Sequence, residues 1–483
     1  MKLFTKPIFY LLLIVLGAFI LRLYKIDAPL ADWHSWRQAD TAAVTRNFIK
    51  EGLNPFFPKF DDISAISENP LVNPNRFRFV EFPIYNIFTY PLYLFFGINE
   101  AYHRLVSVLF SLGSIVFIYL ITKKYANTFV ALLSAFIFAF LPFSIFFSRT
   151  ILPEPTFLFF SLGMLYFVDK WITNKGKSVA LIAYIFTAVA FLIKPWAIFF
   201  TLPVIYSFFQ KHQRIWPVPL KYVFFVILAL APFLLWRLWI LQQPQGIPAS
   251  SWLLNSDAIR FKPAFWWWII SERIGREILG ATGAVLFYIG ILKRPKNYFF
   301  HTWLISSLLF IVIFATGNVR HNYYQISFVP IASIFTALGF YYLVKGSREL
   351  IVRLWTIPVA ILFLALTFYF TWLQVKGFYQ INNPVIVEAG KKADQILPKD
   401  ALVVAPYNGD TAFLYQTNRA GFPFVPLPVP DLITQFGVTH FVSTSKDDQT
   451  NWVMKHFKIL EENDKYVIVD LREITTSFDK ETI

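Results

Sequence analysis

The chain has no cysteine, so neither a disulfide framework nor a thiolate metal site is open to it. It is also short of charge: Asp, Glu, Lys and Arg make up 15% of its 483 residues, against about 25% in an average soluble domain. A shortfall of that size removes much of the polar surface that keeps a domain in water. What fills the space is apolar. Hydrophobic residues reach 56% and aromatic ones 19%, with 56 phenylalanines, the composition of a chain that crosses a lipid bilayer repeatedly.

Apolar runs of roughly 15–22 residues, the length of a membrane span, predict eleven crossings: 7–24, 103–122, 128–147, 155–169, 178–193, 195–210, 220–240, 276–292, 299–316, 323–344 and 354–372. The first follows Lys2 and Lys6 and has no small-residue cleavage site behind it, so it reads as a retained span. The net charge of +15 would fit a nucleic-acid partner if it lay on one soluble face. Its distribution excludes that. With the N-terminus inside, the inner connections carry about 16 cations, among them Lys123, Lys124, Lys170, Lys175, Lys177, Lys211, Arg214, Arg294 and Arg348, against Asp169 and Glu349, as the positive-inside rule requires. The basic balance is a topology signal, and no nucleic-acid partner is expected. The expected location is a cell inner (plasma) membrane, with the N-terminus cytoplasmic.

Eleven crossings leave the C-terminus extracytoplasmic. Residues 1–372 then form a transmembrane domain with two long outer loops, 25–102 and 241–275. Pro83 to Gly97 in the first is too short and too broken by Pro91 to span, and is expected to lie as an interfacial helix. The second ends in Phe265-Trp266-Trp267-Trp268, suited to an aromatic belt at headgroup depth. Residues 373–483 are polar and alternate β runs (401–405, 440–443, 458–460, 466–471) with helical ones (431–436, 451–457), which predicts a small α/β domain outside the membrane. It contains no glycine-rich phosphate loop and no metal-ligand spacing.

Two carboxylates stand out. Asp40 closes the run Trp36-Arg37-Gln38-Ala39-Asp40 just past the first span, where a short amphipathic helix should begin. A carboxylate there can take a proton from an incoming hydroxyl and orient it as a nucleophile. The plainer reading is that Asp32 or Asp40 caps the helix. Glu154 lies between Pro153 and Pro155 at the outer junction of two spans. Ionisable groups at bilayer depth usually mark a site, although a glutamate that merely opens a helix fits as well. Arg104, Arg149, Lys194 and Arg320 fall at outer ends of spans, the depth of a lipid phosphate; each can also snorkel to headgroups without a catalytic role. His321, Tyr323 and Tyr324 can line a pocket with their ring faces or form part of an interface belt. His34, Glu81 and His321 show no ligand spacing, so no metal or other cofactor is expected.

Four landmarks occur in order: Trp36-Arg37-Gln38-Ala39-Asp40, then Glu81-Phe82-Pro83 before Gly97 to Arg104, then Pro153-Glu154-Pro155, then Arg320-His321-Asn322-Tyr323-Tyr324. Over about residues 5–345 the chain resembles the GT-C membrane glycosyltransferases, in particular their protein mannosyltransferase-like group, which takes in protein O-mannosyltransferases and the lipid A aminoarabinose transferase. The resemblance implies an inverting, single-displacement transfer of a sugar from a polyprenyl-phosphate-linked donor to an acceptor hydroxyl of a lipid, glycan or protein on the outer face. It implies Asp40 as catalytic base. Glu154 matches a family acid that is usually Asp. Glu81 matches a Glu that precedes Lys-Pro in the aminoarabinose transferase; here Phe82 stands in place of that Lys, and the missing phosphate contact must come from elsewhere. Lys194 and Arg320, in short turns with aromatic neighbours, are the first candidates, followed by Arg104 and Arg149.

The competing reading is a multi-span lipid or solute transporter, or a flippase, without chemistry. A transporter should place ionisable residues near mid-membrane in several spans. Here the spans are almost free of charge and the acids cluster outside.

Overall fold

The computed structural model describes residues 6–174, 176–213, 216–293, 295–345 and 350–477. Lys2, Lys175, Arg214, Arg294, Arg348 and Glu349 of the inner-side charge count, and the end of the C-terminal domain, lie outside the described residues. The chain is mainly helical and divides into two compact units. One comprises Met1–Ile26, Arg104–Trp239 and Ser250–Phe378; the other comprises Asp27–His103, Ile240–Ala249 and Tyr379–Ile483. The first outer segment thus belongs to the same unit as the C-terminal residues.

In the first unit helices occupy all eleven predicted runs. Among the described residues three stretches, Glu100–Tyr125, Leu220–Ile240 and Leu354–Ile396, have the length and hydropathy of a full crossing. A fourth is added if Pro263–Ile278 and Thr282–Leu292, bent by 111° to each other, count as one. Several runs are broken where the sequence explains it. The 128–147 run splits into Thr128–Phe140 and Pro142–Phe147, because Pro142 has no N–H to continue the ladder and its ring crowds the preceding turn. Asn127 caps the first piece, its side chain accepting the Val130 N–H at 3.0 Å. The predicted start of a span at 276 is not observed: Trp268–Ile278 is wound as a π-helix, and the break falls at Gly280 and Ala281, both at positive φ.

Helices Thr282–Leu292 and Val329–Lys345 cross backbone to backbone. A Cβ on Gly290 would sit 2.0 Å from the Phe335 carbonyl oxygen, and one on Gly339 would sit 1.8 Å from that of Leu286. Small residues at a crossing are how apolar helices approach closely in lipid.

The second unit is built on a five-stranded sheet of β1 (Leu402–Val404), β2 (Ala420–Phe422), β3 (His440–Ser443), β4 (Phe457–Glu462) and β5 (Val467–Ile474), in the order β2-β1-β3-β5-β4. β1 pairs parallel with β2 and β3, while β5 runs antiparallel to β3 and β4. Helices Val429–Phe436 and Asp448–His456 extend the two predicted ones, whereas Pro384–Ile396, Ala412–Thr417 and strand β2 were not anticipated. The segment expected as the first outer loop is stitched to the β2 edge by backbone hydrogen bonds: Gly421 N–H to Asp61 O at 2.9 Å, and Ile63 N–H to Gly421 O at 3.0 Å. Ile63 accordingly joins Val404, Phe422, Phe441 and Val469 in one apolar core.

The expected interfacial segment is a helix, Ile84–Phe96, with Pro91 inside it. Tyr85, Thr89 and Tyr93, four apart, are buried, while Phe88, Leu94, Phe95 and Phe96 are exposed. An apolar face left uncovered in this way suits a lipid surface.

Candidate active site

The second unit holds a polar helix, Ser35–Glu51, most of which is buried. Burying polar groups is costly unless each finds a partner, and here they do. Gln38 donates to Asp32 Oδ1 at 2.6 Å and to the Trp33 carbonyl at 2.9 Å. Arg46 pairs with Asp61, donates to the Tyr415 carbonyl at 2.9 Å and lies 4.0 Å from the Tyr415 ring centroid. Asn86 donates to Thr41 O at 2.7 Å and to Thr45 Oγ1 at 2.9 Å.

Asp40 is the sixth residue of this helix, not its cap. The cap position is His34, in a left-handed conformation with no side-chain cap bond. Two donors hold the Asp40 carboxylate: Arg78 on Oδ2 at 2.6 Å and the Thr411 hydroxyl on Oδ1 at 2.7 Å. Arg37 donates to both oxygens of Glu81, at 2.6 and 2.9 Å. These groups surround a small open hollow lined by Arg37, Asp40, Thr41, Arg78, Glu81 and Asn86 among others. The structure thus brings Asp40 and Glu81 to one place and puts two arginines between them.

Burial pushes the Asp40 carboxyl above its usual range, opposed by Arg78, the Thr411 hydroxyl and Arg37. The neighbouring Asp62, buried and bonded to the Ser64 backbone and hydroxyl, is pushed up to about 6 by the same desolvation. A carboxyl held nearer neutrality is a better proton acceptor at working pH than a solvated one.

The first unit holds the other acid. Glu154 opens helix Glu154–Asn174, where the exposed N–H groups favour an anion. Its Oε1 accepts from Lys194 Nζ, while Oε2 has no hydrogen-bond partner among the described residues. Lys194 joins helix Lys177–Ile193 to the Pro195–Phe200 turn. Its ammonium lies 4.7 Å from the Trp196 ring centroid and 5.5 Å from that of Tyr324.

From Tyr324 the ring contacts continue. Tyr324 meets His321 edge-on at 5.8 Å, and His321 stacks on Tyr323 at 5.3 Å. Trp252 meets His321 at 5.5 Å, and the exposed Arg320 guanidinium lies 5.4 Å from the Trp252 ring. Glu154, Lys194, Tyr324, His321 and Arg320 therefore form one connected set. Arg104 and Arg149 do something else: each donates to a backbone carbonyl just past the first helix, of Ile26 at 2.9 Å and of Lys25 at 2.7 Å. Beside the lysine, Phe157, Trp196, Phe199, Phe200, Phe310 and Phe328 with two serines line a small aromatic hollow. Among the described residues no group of three or more His, Asp or Glu is arranged to hold a metal ion.

Several partners escaped sequence reasoning. Arg78 sits in the basic-aromatic alternation Arg76-Phe77-Arg78, a signal that was present but points to no single partner. Thr411 carries no sequence signal and lies 371 residues from Asp40. The buried Glu277, held by Arg273 at 2.5 Å and by Asn322, shows only as an Arg-x-x-x-Glu spacing.

A family model described as dolichyl-phosphate-mannose-protein mannosyltransferase matches residues 83–239. The fold is shared with the apo crystal structure of ArnT from Cupriavidus metallidurans at a TM-score of 0.66, with 95% of this chain and 97% of that chain covered and 11% identity. The chain therefore shares the fold of ArnT, and its residues 83–239 are similar to the protein mannosyltransferase family. ArnT bound to undecaprenyl phosphate matches this chain with the same TM-score, coverage and identity. Oligosaccharyltransferase AglB from Archaeoglobus fulgidus, in complex with an inhibitory peptide and a dolichol-phosphate, matches at a TM-score of 0.56 and 11% identity, covering 95% of this chain and 74% of that chain. No curated protein matches the sequence.

Proposed function

We propose that this GT-C protein transfers a sugar from a polyprenyl-phosphate-linked donor to an acceptor hydroxyl, on a lipid, glycan or protein, at the extracytoplasmic face of an inner membrane that it crosses eleven times. The observation that carries the reading is Asp40: a buried carboxylate, held by Arg78 and Thr411, facing an open polar hollow. Fold alone supports many functions; this side-chain arrangement is what selects a proton acceptor.

In the proposed step the acceptor hydroxyl gives its proton to Asp40 as its oxygen bonds the anomeric carbon. The bond from that carbon to the phosphate oxygen breaks on the opposite side, and its electron pair leaves with the lipid phosphate. One displacement inverts the anomeric centre. Negative charge grows on the departing phosphate, where preorganised cations act most strongly. Lys194, oriented by Glu154, and Arg320 are proposed for that role. Glu81 aligns Arg37 at the polar hollow. His321 and Tyr324 offer ring faces to the sugar, and the aromatic side chains around Trp196 offer an apolar wall to the isoprenoid chain. No cofactor takes part. The ArnT and AglB complexes, each holding a polyprenyl phosphate in the same fold, support this donor class.

Deleting the gene should make a polyprenyl-phosphate monosaccharide accumulate in the membrane and remove one sugar from surface glycans, as read by mass spectrometry. The purified protein should then convert that accumulated lipid to free polyprenyl phosphate when acceptor is added. Movement of the lipid across vesicles with no bond cleavage would establish the transporter reading instead.

A further inference from the structure

The hydroxyl on Asp40 Oδ1 comes from the other end of the chain, and its surroundings are built rather than incidental. β1 and β3 lie side by side, with β2 on the far side of β1. The chain leaves β1 in one direction and returns on the other, the kind of switch point where open α/β sheets place functional groups at the carboxyl ends of their strands. The loop after β1 runs through Tyr407, Asn408 and Gly409, the last two at positive φ, to Asp410 and Thr411.

Asp410 clamps the loop from both sides: Oδ1 accepts the Ala412 N–H at 2.7 Å and Oδ2 accepts the Ser35 hydroxyl at 2.9 Å. The next turn is tied down as well, since Tyr415 donates its hydroxyl to Glu100 at 2.8 Å and its carbonyl accepts from Arg46. Thr411 is therefore set against the 35–51 helix by bonds on both sides of it.

The Thr411 hydroxyl has one proton and two acceptors in reach, Asp40 Oδ1 at 2.7 Å and the Trp36 carbonyl at 3.1 Å. While Asp40 is ionised, the shorter, charge-assisted bond prevails. When Asp40 carries a proton, the same hydroxyl can donate to Trp36 and accept from the new O–H, since a threonine oxygen has both capacities. The carboxylate offers about four lone-pair sites; Arg78 and Thr411 use one on each oxygen, and Asp40 lines the hollow.

We infer that Thr411 is a positioning residue for Asp40, so that the loop after β1 makes the C-terminal sheet part of the catalytic apparatus instead of a lid or an acceptor-binding accessory. The inference rests on Asp40 acting as the base. Removing the hydroxyl removes a donor that favours the ionised form, so Asp40 must give up its proton at higher pH.

The test is the pH dependence of kcat/KM of the full-length protein in lipid nanodiscs, with the lipid-linked monosaccharide that accumulates in cells lacking the gene as donor. T411V should move the acid limb up by about one pH unit and lower kcat/KM about tenfold on that limb, with partial recovery at high pH. T411S, which restores the hydroxyl, should return the limb to its parental position. If T411V does not fold, T411C keeps the packing with a weaker donor and should give a smaller shift in the same direction. A folded, active T411V with its acid limb unmoved overturns the inference. Full activity of D40N would instead overturn the base assignment on which it rests, so the two failures are separable.

Discussion

The two candidate carboxylates are held by different chemistry in different units. Asp40 lies within a buried polar helix, with one oxygen on an arginine and the other on a hydroxyl. Glu154 stands at the first residue of its helix, with one oxygen on a lysine and the other without a hydrogen-bond partner among the described residues. An arginine's planar fork fixes direction, whereas a lysine is a point charge on a flexible stem. The first arrangement suits a group whose lone pair must be aimed; the second suits a group whose task is to hold a cation for something else. Aromatic rings around Lys194 strengthen that view, because they stabilise the ammonium without bonding it in one direction.

The sharpest way to break this contrast is to neutralise each acid in turn. D40N should lower kcat by about 10²–10⁴-fold, the range of general-base catalysis, with little change in donor KM. E154Q should raise donor KM more than it lowers kcat, because it loosens Lys194 without removing the base. Equal effects on the same constant from both variants would erase the distinction.

A second test concerns stability. Lys194 and Glu154 are both almost fully buried, and removing one partner of a buried pair leaves an uncompensated charge worth about 3–5 kcal/mol. K194M should therefore lower the thermal midpoint in nanodiscs by several degrees, and K194M combined with E154Q should recover much of the loss. A double variant no better than the sum of its parts would show that the pair does not act as a unit.

The smallest effect sharpens the Asp40 side. Asp62 ionises near 3.8 when solvated and near 6 in the fold. Between those values the native state keeps a proton that the unfolded chain has lost, so stability from this group is fully present below about pH 3.8 and declines as pH rises to about 6. The total is about 3 kcal/mol. D62N should unfold at a higher temperature than the parent at pH 7.5, and that advantage should disappear below pH 4. A constant difference across the range would mean that packing, not ionisation, sets the effect.

The apolar runs were legible as helices because hydropathy is a local property: every predicted run carries a helix, while among the described residues three or four helices have the length and hydropathy of a full crossing. Their interruptions were less so. Pro142 announces its break, but the 111° bend near Gly280 depends on neighbours such as Thr367, whose carbonyl oxygen a Cβ on Gly280 would meet at 2.4 Å. Strands β1, β3, β4 and β5 showed in their β-branched and aromatic residues, whereas β2 is three residues with a glycine in the middle and becomes a strand only through its pairing. Asp40 and Glu154 stood out because a carboxylate beside prolines and tryptophans in an apolar chain is rare. Arg78, Thr411 and Glu277 did not, since nothing in a local window marks one arginine, threonine or helical glutamate from the others.

By itself the sequence determined what is written in composition and period: a largely apolar and helical chain, polar segments set between its apolar runs, a small α/β region at the end, and which acids are costly enough to need a reason. Only the tertiary structure decided which groups those acids meet. Partners such as Arg78 and Thr411 are 38 and 371 residues from Asp40. Hydrogen bonds and ion pairs act over about 3–4 Å, so they are settled by how the backbone returns on itself, which no stretch of sequence records.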